Sequence, residues 1–156
     1  MINIQIPGMG NVELRHLLLD LNGTLSLDGK LLEGVAERLA PLSDQLSVHL
    51  VTADTRGTAQ EIADRLGVDC LRLQRGQEAE QKKEYVETYG PQHVVAVGNG
   101  NNDTRMLSTA RVGIIVMGPE GTSTRAFAHA DVATTSIDEA LDLLLQPKRL
   151  LATLRH

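Results

Sequence analysis

The sequence has few of the features that would place a chain outside a reducing compartment. It contains one cysteine, Cys70, so no disulfide can form within the chain. Its first residues do not follow the charged and then apolar pattern of a secretory leader. We therefore expect a cytoplasmic protein whose stability comes from a packed core, for which an apolar content of 42% is sufficient.

Long runs of one residue class are also missing. The formal net charge is -5, and the Lys and Arg residues are scattered along the chain. Nucleic acid is therefore not an expected partner, because a backbone-binding surface needs clustered positive charge. Even the Leu-rich stretch 137–151 is broken by charged residues, and crossing a bilayer takes roughly 18 consecutive apolar residues. A membrane is not an expected partner either.

Short apolar runs alternate with amphipathic segments along the whole chain. The strand candidates are 16–19, 47–51, 93–97 and 112–116, with weaker ones at 69–73 and 131–133. Helical spacing is found at 33–42, 58–66, 77–89, 137–145 and 147–154. This alternation is typical of a parallel sheet covered by helices on both faces. We predict a single α/β domain over residues 1–156.

Local signals predict how some of these elements begin. Thr58 with Glu61, and Ser136 with Glu139, have the spacing of a capping box at a helix start. Residues 2–14 contain two short strand-like runs around a Pro-Gly turn, which predicts a hairpin at the N-terminus.

The strongest chemical signal is an apolar strand that ends in an acid. The run 17–19 leads into Asp20, and a turn through Asn22, Gly23 and Thr24 follows. Ligands of open parallel sheets bind at the carboxyl ends of the strands. An Asp there can attack a phosphoryl group if a cation offsets the negative charges, and Thr24 can hold the anion. The alternative is an ordinary Asn-Gly turn after a core strand.

Two later segments carry residues that suit the same chemistry. Thr52 ends a predicted strand and can donate a hydrogen bond to a phosphoryl oxygen, although such a residue is more often part of a turn. Lys82 and Lys83 lie early in the helix 77–89. A lysine there can pair with both Asp20 and phosphate, whereas the alternative is a solvated helix face.

A second strand followed by a Gly-rich turn and an acid comes late in the chain. The strand 93–97 leads into Gly98-Asn99-Gly100-Asn101-Asn102-Asp103. Asp103 offers the hard oxygen that Mg²⁺ prefers. A dinucleotide-binding fingerprint fits poorly, because Asp103 stands where its third glycine belongs and the preceding strand is not an early one.

In order and spacing, these segments resemble the four motifs of the haloacid dehalogenase-like superfamily over roughly 16–131. The stretches 110–118 and 128–132 are similar to the phosphorylation domain of P-type ATPases, so the closest likeness is to the small soluble P-type ATPase-like members. The resemblance implies a Rossmann-like three-layer domain without a cap. It also implies Mg²⁺-dependent phosphoryl transfer through an aspartyl-phosphate on Asp20, with a small phosphorylated substrate or phosphate donor.

The resemblance further assigns roles within this site. Asp20 becomes the nucleophile, and Thr52 and Lys82 stabilise the phosphate, with Lys83 as the alternative lysine. The implied metal ligands are Asp20, the carbonyl of Asn22, Asn99 and Asp103. The candidates for phosphate or substrate binding are Gly23, Thr24, Ala53, Arg56 and Asn102.

Two amides depart from the pattern of phosphatases in this superfamily. Asn22 stands where an acid usually protonates the leaving group and activates water, so we expect slow hydrolysis of the phosphoenzyme. Asn99 replaces an acid of the fourth motif, so we expect weaker Mg²⁺ binding. One alternative is therefore a regulatory or phosphate-binding module with the same fold. A second alternative is a receiver-like signalling domain, which also combines Asp, Thr and Lys around Mg²⁺. The turn at 20–24 and the Gly-rich fourth motif argue against it, because a receiver normally carries an acidic pair after its first strand.

The intervals 24–52 and 52–82 leave no room for a cap domain. The site is therefore expected to be open, so that it admits a large substrate or is closed by a second subunit. The Leu-rich segment 141–154 favours a homo-oligomer, although these leucines would equally pack on the sheet of their own chain.

Overall fold

The computed structural model describes residues 1–54 and 57–156, which form ten strands and seven α-helices. The strands are β1 (Ile2–Ile6), β2 (Gly10–Leu14), β3 (His16–Asp20), β4 (Ser26–Leu27), β5 (Lys30–Leu31), β6 (Ser47–Thr52), β7 (Asp69–Arg72), β8 (Val94–Gly98), β9 (Val112–Val116) and β10 (Val132–Thr134). The helices are α1 (Val35–Ser43), α2 (Thr58–Leu66), α3 (Glu78–Tyr89), α4 (Thr104–Thr109), α5 (Thr124–Phe127), α6 (Ile137–Leu145) and α7 (Pro147–Leu154).

Six of the strands form one parallel sheet in the order β10-β9-β8-β3-β6-β7. The chain runs outward from β3 through β6 to β7 and then returns to the other side of β3 to form β8. The strand order therefore reverses between β3 and β8. In open α/β sheets this reversal leaves a crevice at the carboxyl ends of the two strands, where ligands bind.

The central strand is buried on both of its faces. Leu17 and Leu19 belong to the core under α1, α2 and α6, while Leu18 belongs to a second core under α3 and α4. All three side chains are fully buried. Successive side chains of a strand point to opposite faces, so an unbroken apolar run needs a layer of helices on each side. The predicted three-layer α/β fold is confirmed.

The two capping predictions have different outcomes. The hydroxyl of Ser136 accepts a hydrogen bond of 3.2 Å from the backbone N–H of Glu139, as predicted for α6. The prediction of a capping box at Thr58 is wrong, because Thr58 is already inside α2 and the N-cap of that helix is Gly57. The carboxylate of Asp54 accepts the N–H of Ala59 at 2.8 Å instead, so a residue from the preceding loop satisfies this helix end.

Other boundaries differ from the prediction by a few residues. His93 lies in a 3₁₀ helix, Pro91–His93, and β8 begins only at Val94. Helix α1 begins at Val35, because Gly34 before it has a φ of 84°. The N-terminal hairpin is confirmed, since β1 and β2 pair in antiparallel fashion.

The C-terminal leucines pack within their own chain. Leu141, Leu144 and Leu150 are buried in the core that also contains the β1–β2 hairpin. Intrachain packing therefore accounts for the apolar residues that favoured a homo-oligomer, and the oligomer stays a prediction.

Only short elements are inserted between the sheet strands near their carboxyl ends. Between Asp20 and Thr52 the chain forms the two-residue strands β4 and β5, which pair as a hairpin, and helix α1. The described residues between Thr52 and Lys82 form α2, β7 and the start of α3. Neither interval contains a cap domain in the parts of the chain that the structure describes. Among the same residues, every helix is too short or too polar to traverse a bilayer.

Candidate active site

Asp20 is held at the carboxyl end of β3 by two side chains. The ammonium of Lys82 donates to Asp20 Oδ1 at 2.7 Å, and the hydroxyl of Thr24 donates to Asp20 Oδ2 at 3.0 Å. The side chain of Asp20 is 10% exposed and lines a cleft of about 1020 Å³. The carboxylate is thus fixed in orientation and still reachable from solvent.

Lys82 reaches this carboxylate from the buried face of α3. Its side chain is 1% exposed, and its ammonium also donates to Asp103 Oδ1 at 2.6 Å. Lys83 instead lies on the outer face of α3, where it pairs with Glu80 and Glu87. The structure therefore places Lys82, and not Lys83, beside Asp20.

The neighbouring charges shift the pKa values of Asp20 and Lys82. Burial and the neighbouring Asp103 carboxylate raise the pKa of Asp20 to about 6, against the opposing influence of Lys82 and Thr24. Burial alone would lower the pKa of Lys82, but the Asp20 and Asp103 carboxylates outweigh it and hold that pKa above its ordinary value. Lys82 is therefore cationic, and it offsets negative charge at the base of the cleft.

Asp103 is completely buried and does not line the cleft. Its Oδ2 atom accepts the backbone N–H groups of Asn99 and Gly100 at 3.0 and 2.9 Å, while Oδ1 accepts Lys82. A Cβ atom at Gly98 would lie 2.5 Å from the carboxyl carbon of Asp103. Asp103 consequently orders the turn after β8 and orients Lys82.

The turn after β3 leaves a carbonyl oxygen available at the cleft. The carbonyl of Leu21 accepts the N–H groups of Thr24, Leu25 and Ser26, whereas no described residue donates a hydrogen bond to the carbonyl of Asn22. Gly23 has a φ of 78°, a conformation that residues with a side chain rarely adopt. The left-handed conformation of Gly23 closes the turn, and Asn22 lies on the cleft wall.

Asn99 connects this turn to the fourth motif. Its side-chain oxygen lies 3.2 Å from the hydroxyl oxygen of Thr24, whose single proton is donated to Asp20. The described residues contain no group of three or more His, Cys, Asp or Glu side chains arranged to hold a metal ion. The reason is that amides occupy positions 22 and 99. Among the predicted motif residues that line the cleft, the donors are one carboxylate, a backbone carbonyl and amide oxygens, a hard-oxygen set that fits Mg²⁺.

The remaining candidates for phosphate binding come from two edges of the cleft. Thr52 and Ala53 follow β6, and Asn102 belongs to the turn after β8; all three line the cleft. The hydroxyl of Thr52 accepts the N–H of Asp54 at 3.2 Å, which fixes its position. Arg56 lies outside the described residues.

The cleft is also lined by charged residues that no sequence pattern predicted to lie there. They are Arg75, Glu78, Glu80, Arg105, Glu120 and Arg125. Arg105 of α4 forms an ion pair with Glu80 of α3. They belong to α3, α4, α5 and two loops, and no motif marks them. Only Glu120 lies in a recognisable sequence pattern, because a Pro-Glu pair between Gly118 and Gly121 predicts a tight turn.

No family model matches the chain. Over 62 residues it is 45% identical to an uncharacterized protein of Methanocaldococcus jannaschii, a match that covers 40% of this chain and 67% of the relative. It is 35% identical over 121 residues to a Synechocystis protein named "Probable copper-transporting ATPase PacS". That match covers 70% of this chain but only 15% of the ATPase, so the likeness is to one part of a much longer protein.

Solved structures with the same fold are haloacid dehalogenase-family proteins. The cobalt-bound deoxy-D-mannose-octulosonate 8-phosphate phosphatase of Haemophilus influenzae has a TM-score of 0.74 at 13% identity, covering 88% of this chain and 90% of that one. A 3-deoxy-D-manno-octulosonate 8-phosphate phosphatase of Moraxella catarrhalis, solved with magnesium, phosphate and its sugar, has a TM-score of 0.69 at 19% identity. It covers 92% of this chain and 95% of the neighbour.

These comparisons favour the haloacid dehalogenase-like prediction over the receiver-like alternative. The ATPase match is consistent with the predicted relation to P-type ATPases. The chain therefore has the fold of haloacid dehalogenase-family proteins, and residues from its four predicted motifs line one cleft at the carboxyl ends of the sheet strands.

Proposed function

We propose that the protein is a Mg²⁺-dependent phosphohydrolase or phosphotransferase that forms an aspartyl-phosphate on Asp20. The observation that carries this proposal is the position of the Asp20 carboxylate at the base of an open cleft, between the ammonium of Lys82 and the hydroxyl of Thr24. An ionised carboxylate held beside a fixed cation is arranged for nucleophilic attack on a phosphoryl group.

The first step transfers the phosphoryl group to the protein. A carboxylate oxygen of Asp20 forms a bond to phosphorus while the bond from phosphorus to the leaving group breaks. Lys82, Thr52 and the backbone at Ala53 stabilise the negative charge on the phosphoryl oxygens. Asn22 has no proton to give, so the leaving group must depart as a stable anion or take its proton from water.

The second step removes the phosphoryl group from Asp20. Water attacks phosphorus, the bond to Asp20 breaks, and inorganic phosphate leaves with the proton of that water passing to solvent. Without a carboxylate at position 22 this step is slow, because a positioned base typically contributes about 10²- to 10⁴-fold. The aspartyl-phosphate is therefore long-lived.

Bound Mg²⁺ would offset the charge of the phosphoryl group and of Asp20. Of the four ligands that the resemblance implies, Asp20, the carbonyl of Asn22 and Asn99 line the cleft, and we assign the ion to them. Asp103 is left out of this assignment, because it is buried against Lys82 and does not line the cleft. Asp103 supports the site through Lys82 and through the backbone N–H groups it accepts. The fold of the neighbours supports a small phosphorylated compound as the substrate, and the cytoplasm is the proposed location.

The test is hydrolysis of acetyl phosphate and of activated phosphoesters with and without Mg²⁺, for the wild type and Asp20→Asn. Acid-quenched mass spectrometry measures phosphate on Asp20. We expect a phosphorylated Asp20 peptide from the wild type only when Mg²⁺ is present, and none from Asp20→Asn. A folded wild-type protein that neither hydrolyses nor becomes labelled would favour the regulatory or phosphate-binding module instead.

A further inference from the structure

A tight turn after β9 packs closely against the Asn22-Gly23 turn. The N–H of Gly121 donates to the carbonyl of Gly118 at 3.0 Å, which places Pro119 and Glu120 at the two central positions. A Cβ atom on Gly118 would lie 3.0 Å from the carbonyl oxygen of Gly23. The absence of a side chain at Gly118 therefore lets the two turns approach closely.

Asn99 holds this turn in place from the fourth motif. Its side-chain N–H₂ group donates to the carbonyl of Gly121 at 3.2 Å, and its backbone carbonyl accepts the N–H of Ser123 at 2.9 Å. An aspartate at position 99 has no N–H₂ group and could not make the first of these bonds. The amide at 99 is thus part of the support of the turn that carries Glu120.

The carboxylate of Glu120 consequently lies beside the residues of the proposed metal site. A Cβ atom at Gly23 would overlap Glu120 Oε2 and would lie 2.8 Å from Asn99 Nδ2. Both side chains therefore lie close to Gly23, and Glu120 lines the same cleft as Asp20 and Asn22. Within the described part of the chain, Glu120 has no ion-pair or hydrogen-bond partner that would compete for its oxygens.

Charge explains why a carboxylate at this place matters. Positions 22 and 99 are amides and Asp103 is buried against Lys82, so Asp20 would be the only carboxylate facing a cation from the described motif residues. Mg²⁺ usually takes one or two carboxylates together with carbonyl, water and phosphate oxygens. An acid at 99 would also stand next to Glu120 and repel it. The amide and the neighbouring carboxylate are therefore complementary.

We propose that Glu120 supplies the second carboxylate of the Mg²⁺ site, while Asn99 positions the turn that carries it. The inference rests on the proposed function, because it concerns the same cation. In effect, the negative charge that position 99 lacks is provided by a loop that follows β9.

Direct metal binding tests this assignment without any turnover. Free Mn²⁺ is measured by electron paramagnetic resonance during titration of the purified protein in the absence of substrate. The variants are Glu120→Gln, Glu78→Gln and Asp20→Asn. Glu78 is the matched control, because it lines the same cleft and the substitution removes the same charge. We expect Glu120→Gln to raise the Kd for Mn²⁺ by about tenfold or more, and Glu78→Gln to change it by less than about twofold.

The outcomes separate this inference from the proposed function. If Asp20→Asn abolishes binding while Glu120→Gln leaves it unchanged, the metal site stands and the role of Glu120 is overturned. Equal weakening by Glu120→Gln and Glu78→Gln also overturns it, because the effect is then one of general charge. If the wild type binds no Mn²⁺, both the metal site and the role of Glu120 are rejected.

Discussion

The ammonium of Lys82 lies 2.7 Å from a carboxylate oxygen of Asp20, although 62 positions separate the two residues in the chain. Lys82 comes from a helix on one face of the sheet, and Asp20 ends the central strand. Both side chains are removed from solvent almost completely. This contact links the proposed nucleophile to Asp103, which Lys82 also contacts, so that one cation joins the first and fourth motifs.

Loss of that cation should damage both stability and activity. In Lys82→Met two buried carboxylates lose their partner, and we expect the free energy of unfolding to fall by about 3–5 kcal/mol. Labelling of Asp20 should fall below detection. Urea unfolding followed by circular dichroism measures the first effect, and acid-quenched mass spectrometry measures the second.

Lys83→Met is the matched control, since Lys83 pairs only at the surface. It should change the free energy of unfolding by no more than about 1 kcal/mol. Equal effects of the two substitutions would contradict the assignment of Lys82 to the site.

Asn22→Asp should restore the missing acid and base. We expect faster hydrolysis of the aspartyl-phosphate, by about 10²-fold or more, because a carboxylate at this position activates water. Single-turnover decay of phospho-Asp20 is the appropriate measurement.

The control for this gain is Asn101→Asp, which introduces an acid elsewhere on the cleft wall. A similar gain in Asn101→Asp would mean that added negative charge, and not a positioned base, accelerates hydrolysis.

Gly98→Ala should displace Asp103. The added Cβ would lie 2.5 Å from the Asp103 carboxyl carbon and 2.6 Å from Oδ2, so the side chain must move away from Lys82 or from the backbone N–H groups that it accepts. We expect a loss of about 1–3 kcal/mol in unfolding free energy and reduced labelling of Asp20.

Gly100→Ala tests whether the effect belongs to that close contact. Its nearest neighbours would be Asn102 Oδ1 at 3.3 Å and Asp103 Oδ2 at 3.6 Å, distances that small adjustments can accommodate. The variant should therefore be clearly more stable than Gly98→Ala, and a reversed order would be evidence against the packing described for Asp103.

A stack of three rings on the face of the sheet that α3 covers predicts how stability depends on pH. The rings of His16 and His49 lie 4.6 and 4.5 Å from that of Tyr89, and His16 Nδ1 is 3.4 Å from His49 Nε2. Burial lowers the pKa of both histidines, and for His49 it outweighs the nearby Asp69. The unfolded chain therefore takes up protons at a higher pH than the folded one.

It follows that these histidines make the protein less stable as the pH falls below about 6.5, the ordinary histidine pKa. Urea unfolding between pH 5 and pH 8, compared with His49→Phe, measures the effect. The wild type should lose stability relative to this variant on acidification, whereas His129→Gln, at an exposed histidine, should follow the wild type. A difference between wild type and His49→Phe that does not change with pH would rule out this account.

Most of the sheet could be predicted from the sequence because buried parallel strands are continuous apolar runs. The elements β3, β6 and β9 lie where 16–19, 47–51 and 112–116 predicted them. The start of α2 could not be predicted, because Asp54 reaches it through a loop contact. Lys82 and Lys83 are likewise adjacent in sequence, and only the packing of α3 on the sheet decides which one is buried.

By itself the sequence determined the α/β architecture, the Asp at the end of the first sheet strand and the late Gly-rich turn. Each of these is a local pattern of apolar runs, glycine and polar residues that neighbouring positions are enough to specify. The tertiary structure alone decided that Asp103 faces Lys82 and not the cleft, and that Glu120 lies over Gly23. Such contacts join residues distant along the chain, and they arise only when the parallel strands bring their carboxyl ends to one edge.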